Sequence, residues 1–108
     1  MKAIILFGMI FLQASSLVFA GSGTGKVTRI GVRQPDVVIF TTETHINMPA
    51  CSTVGNDWAL SLNTENGKAM YAFLLSVVAQ GKSVSVTGTN ECQAWADRET
   101  PLYITASF

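Results

Sequence analysis

The chain has 108 residues, 48% of them hydrophobic and 13% charged, with 7 Lys or Arg against 7 Asp or Glu. That length holds one domain, the apolar content excludes a disordered tail, and a formal charge of zero excludes the basic footprint of a nucleic-acid binder. A single His leaves a Ser-His-Asp hydrolase or a His-rich metal site almost nothing to work with, so no metal and no cofactor is expected.

Residues 1–20 read as a secretory signal peptide. Lys2 supplies the positive start, and Ala3 to Leu12 is an apolar run too short to span a bilayer. Val18 and Ala20 place small residues at −3 and −1, so cleavage is expected before Gly21. Residues 21–108 then form a single exported binding domain, periplasmic or secreted, with no membrane span. It loses Lys2 and keeps 6 basic residues against 7 acidic ones. In an oxidising compartment its two cysteines, Cys51 and Cys92, are read as one disulfide. Closing a loop of about 40 residues is worth about 4 kcal/mol in the chain-entropy model.

The elements follow in order. Gly21 to Gly25 reads as a flexible start. Lys26 to Val32 is the first predicted strand, and the Val-Val-Ile-Phe run of Val37 to Thr42 is the second. Asp57 to Leu62 is the third, with Trp58, Leu60 and Leu62 alternating against Ala59 and Ser61. A helix is predicted over Thr64 to Gln80, capped by Asn63 or Thr64 and closed by Gly81. Its core stripe is Met70, Phe73, Leu74, Val77 and Val78. Ser83 to Thr87 and Leu102 to Phe108 are the fourth and fifth strands.

The helix carries more apolar surface than one core stripe needs. Tyr71, Ala72, Leu75 and Ala79 widen the arc, and a contiguous exposed patch of that kind marks an interface. Self-association through this face is therefore expected.

Catalytic patterns are weak. Gly21-Ser-Gly-Thr-Gly-Lys26 fails as a phosphate loop, because Ala20 stands where a Gly is needed and Val27 where Ser or Thr is needed. His45 with Glu43 offers a base and an orienting acid, but no nucleophile lies beside them, and the reading is an exposed loop histidine. No spacing selects a carboxylate pair among Asp57, Glu91 and Asp97. Asp97-Arg98-Glu99 reads as a solvated loop with a surface ion pair. Trp58 is assigned to the core. Trp95 is either a packing residue over the disulfide or, with Gln93, Asp97 and Arg98, a sugar platform. In the second case the indole face takes C–H groups and the polar side chains take hydroxyls. Tyr103, Thr105 and Ser107 share the polar face of the last strand.

Strand-strand-strand-helix-strand-strand with one disulfide resembles the small oligomer-binding (OB-like) barrels of bacterial toxin B subunits. The stretch from Lys68 to Val86, KAMYAFLLSVVAQGKSVSV, is similar to the helix-to-strand passage in B subunits of the subtilase-cytotoxin and typhoid-toxin type. Val27 to Val32 and a strand-bound Cys51 fit the same layout. The resemblance implies a mainly β, five-stranded barrel with one helix between strands three and four. It also implies a pentameric ring, a cell-surface glycan as ligand and an A-chain toxin partner. The family's sugar contacts use a Ser near the first strand and an aromatic near the helix end. Ser22 to Thr24 and Val77 to Ala79 stand there, the latter without an aromatic, so no sugar-binding residue transfers. The expected function is a secreted, non-enzymatic binding subunit. The rivals are a small structural or inhibitory exported protein, and a small exported hydrolase using His45.

Overall fold

The computed structural model describes residues 20–108; the signal peptide expected over residues 1–20 lies, apart from Ala20, outside them. The order is β1 (Ser22–Arg33), β2 (Val37–Ile46), β3 (Asp57–Ser61), α1 (Glu65–Gln80), β4 (Val84–Gly88) and β5 (Pro101–Ala106). All five strands pair antiparallel in one sheet, in the order β3-β2-β1-β4-β5. The mainly β class and the helix between β3 and β4 agree with expectation. The sheet is not closed into a barrel, and β3 and β5 form its edges.

β1 starts earlier than its pattern suggests, because Gly21 to Gly25 is not a flexible lead. Ser22 to Gly25 is hydrogen-bonded on both sides, to β2 and to β4. At Gly25, φ is +104°, and the register with β2 shifts between Thr24 and Val27. A Gly accepts that backbone without a Cβ penalty, and the bulge bends the strand. Beyond it, β1 pairs with β2 alone. Glu43 accepts the Lys26 N–H at 3.0 Å and holds the bulge; it does not orient His45.

β2 is buried on both faces from Val37 to Phe40, which explains the unbroken apolar run there. Val38 and Phe40 enter the main core with Trp58, Leu60, Leu74, Val77, Val84 and Val86. Val37 and Ile39 join Ala59 on the opposite face, under Ala94 and Trp95.

α1 begins at Thr64, whose hydroxyl accepts the Gly67 N–H at 2.9 Å, and Glu65 lies in the first turn. It ends at Gly81 in the left-handed region, φ 64°. Leu74 and Val77 are fully buried, with Met70, Tyr71 and Phe73 packed at the core's margin. Two assignments change. Val78, expected in the core stripe, is exposed, and Tyr71, expected at the interface, packs against the core. The buried stripe is Gly67, Leu74 and Val77, and the missing side chain at Gly67 lets the first turn sit against the Ser61 carbonyl at the end of β3. Among the described residues no helix is long and apolar enough to cross a membrane.

Candidate functional site

The loop from Asn47 to Asn56 and the segment from Cys92 to Thr100 lie side by side. The Cys51–Cys92 disulfide joins them, so Cys51 is a loop residue here and not a strand residue. Thr53 N–H donates to the Asp97 carbonyl at 3.1 Å, and Glu99 N–H donates to Ser52 Oγ at 3.1 Å. Ala59 N–H of β3 donates to the Glu99 carbonyl at 3.1 Å, next to a single parallel bridge between Trp58 and Glu99. The disulfide thus sets the segment that approaches the free edge of β3.

This arrangement overturns two expectations. Glu99 is no solvated loop residue, and His45 is no exposed one. Both side chains are 0% exposed, and His45 Nε2 lies 2.8 Å from Glu99 Oε1. Glu99 Oε2 accepts the N–H groups of Gly21 and Asn90, each at 2.9 Å. The His45 ring stacks on Trp58 at 3.6 Å between centroids, with the planes within 8°. Trp58 in turn donates its indole N–H to Thr42 Oγ1 at 3.0 Å, and the Thr42 hydroxyl donates to the Thr44 carbonyl at 2.7 Å. His45 Nδ1 is buried with no partner. A Cβ at Gly21 or at Gly88 would collide with the Glu99 carboxylate. The two glycines therefore mark where backbone closes around a buried carboxyl group.

Sequence reasoning missed this cluster because β2 slips phase. Val38, Phe40 and Thr42 alternate inward, and the next buried residue is His45 rather than Thr44. The small residues at Gly21, Gly23 and Gly88 were the available signal.

Arg98 faces the other way. Its Nη2 pairs with Asp57 Oδ2 at 3.2 Å and its Nη1 with Asp97 Oδ1 at 2.7 Å. Burial opposes the guanidinium charge, but hydrogen bonds to Asp97 and Asp57 and their negative charges outweigh it and raise Arg98 above its ordinary value. Asp57 is also held by the Thr41 hydroxyl. Asp57 and Asp97 thus share one arginine, and the structure makes no catalytic carboxylate pair of them. Trp95 is half-buried on Val37, Ile39 and Ala59 with the Arg33 guanidinium 4.7 Å from its ring centroid. Its ring packs on the sheet's outer face.

The four residues expected to form a sugar platform are therefore divided. Arg98 borders a small notch of about 150 Å³ with Arg29, Arg33 and Thr41. Trp95 lies under Arg33, and Asp97 is paired with Arg98. Gln93 lines a different and larger cleft of about 510 Å³, between the first turn of α1, the end of β3 and the segment before β5. Met70 and Leu102 are among its lining residues, with Asn63, Asn66, Gln93 and Thr100, and the buried Leu60 lies behind them.

No family model, no curated protein and no solved structure matches this chain. The geometry of the chain itself carries the functional reading.

The helix face expected at an interface is partly open. Ala72 and Ala79 are exposed, and Leu75 is 44% exposed beside the exposed Val78. On the edge strand β5, Leu102 and Tyr103 are also exposed, and a groove between them and Ala69, Met70 and Phe73 joins the strand to the helix. Among the described residues no group of three or more His, Cys, Asp or Glu has the arrangement of a metal site.

Proposed function

We propose that the chain is a secreted, non-enzymatic binding subunit that assembles into a ring and recognises a cell-surface glycan, in the manner of toxin B subunits. The observation that carries the ligand reading is the 510 Å³ cleft at Gln93. Apolar Met70 and Leu102 lining the cleft together with amide and hydroxyl side chains suit a saccharide, whose ring offers C–H on one face and hydroxyls at its rim. Asp36 is the one charged residue lining the cleft, which favours an uncharged sugar there. His45 offers nothing to an incoming substrate, since its side chain is sealed under Trp58 and against Glu99.

Assembly is supported by the exposed helix face at Ala72, Leu75, Val78 and Ala79 and by the free edge of β5. The approach of the Glu99 segment to β3 supports an OB-like, partly closed barrel as the subunit's form. An A chain is the natural cargo of such a ring.

A glycan array probed with the exported protein tests the ligand reading. Binding to neutral saccharides that falls at least about tenfold in Gln93→Ala and Asn66→Ala is expected, the loss of about 1.4 kcal/mol. Silence across the array from folded protein overturns it. Native mass spectrometry tests assembly. A ring is expected, and a monomer at micromolar concentration removes that part of the proposal.

A further inference from the structure

Gly21 is the residue that the predicted cleavage would make the first of the mature chain, and its nitrogen is already inside the buried cluster. It lies 2.9 Å from Glu99 Oε2. The other donors on that carboxylate are the Asn90 N–H and His45 Nε2. Among the described residues no Lys or Arg forms an ion pair with Glu99. A buried carboxylate met by neutral backbone donors is only partly compensated for the water it has lost.

We propose that removal of the signal peptide completes this site, by turning the Gly21 amide into an α-ammonium that pairs with Glu99 in the protein interior. The cleavage consumes one water. Its oxygen stays on the Ala20 carbonyl carbon, which leaves as a carboxylate with the leader. Both of its protons end on the Gly21 nitrogen, which becomes –NH₃⁺ at neutral pH. The site gains a positive charge with no long side chain to immobilise.

Three features fit Gly21 for the role. A side chain there would collide with Glu99 Oε1 and stand 2.9 Å from His45 Nε2, so only glycine brings its nitrogen this close. Its carbonyl accepts the Gly88 N–H at 2.8 Å, and β1 begins at the next residue, so the nitrogen is held in place from one side. Ala20 is half-buried while Gly21 is buried, so the scissile bond lies at the boundary of the interior. Processing would then follow the leader's transit, and the terminus would fold inward once freed.

The proposal does not depend on glycan binding. The exported protein has amines at Gly21, Lys26, Lys68 and Lys82, and the three lysines are exposed. It is treated with an acetylating N-hydroxysuccinimide ester at neutral pH, native and in denaturant, and read by intact mass and peptide mapping. The lysines are expected to react at similar rates in both states. The Gly21 amine is expected to react about tenfold or more slowly in the native protein, because acetylation must await local opening. A Gly21 amine equally reactive in both states overturns the proposal, as does a mature terminus at any other residue. In Glu99→Gln, which removes the charge and keeps the shape, the protection is expected to fall. Unchanged protection in a folded Glu99→Gln protein also overturns it, and if that variant does not fold the native-against-denatured ratio decides.

Discussion

Arg98 and Glu99 are consecutive residues, and each reaches across to charged or polar groups of the sheet, yet their surroundings are opposite. Glu99 turns inward, where its side chain is fully buried against His45, Gly21 and Asn90. Arg98 turns outward and bridges Asp57, 6% exposed, to Asp97, 43% exposed. Arg98 bridges back to Trp95 while Glu99 bridges to Trp58 of β3, and the two side chains take opposite sides. A charge in the interior depends on every partner it has, whereas a charge at the rim can exchange a partner for water. The same few residues therefore hold one fully buried contact, Glu99 with His45, and an arginine network of which only the Asp97 arm meets solvent.

Substitutions break this comparison in order of size. Glu99→Ala leaves two backbone N–H groups and His45 without their acceptor, and is expected to cost about 3–5 kcal/mol in urea unfolding. A cost below about 1 kcal/mol would mean that water replaces the carboxylate freely and that the interior is not dry. Arg98→Met keeps the length of the side chain but strands Asp57. With the Thr41 hydroxyl still holding that carboxylate, about 1–3 kcal/mol is expected. Asp97→Asn removes only the more exposed partner and is expected to change stability by less than about 1 kcal/mol, with the difference vanishing at high salt. Reversal of the last two would place the weight of the Arg98 network on Asp97. Arg98 itself contributes no pH dependence in the working range. A raised pKa yields stability that is present below it and lost only as pH rises through it, and an arginine does not reach that point in a folded protein.

The two faces of β2 sharpen the same lesson for the apolar core. Phe40 and Val38 meet the helix side, while Ile39 and Val37 are covered by the Trp95 segment. Val37 to Phe40 was legible as part of a strand, and so were the position of β3 and the caps of α1, although β3 is buried on both faces because Ala59 packs with Val37 and Ile39. Each is a property of residues a few positions apart. Trp95 was legible only as a choice between packing and recognition, because the sequence contains no statement of which sheet face its loop covers. The structure lays it on that face with Arg33 over the ring. The cleft at Gln93 was not legible beyond that one residue. Its walls come from the turn before α1, the end of β3 and the segment before β5.

What the sequence determined by itself is local: the export signal as an expectation, the five strands and one helix within a few residues, the capping at Thr64 and Gly81, and the pairing of the only two cysteines. These depend on periodicity, turn chemistry and composition, which act over short stretches. Only the tertiary structure decided that His45 and Glu99 meet across a separation of 54 residues, and that Gly21 reaches Glu99 across 78. A bulge in β1, a phase slip in β2 and a disulfide between two loops bring them together. None of the three residues carries in its neighbours any mark of the others, because the contact exists only once the sheet has formed.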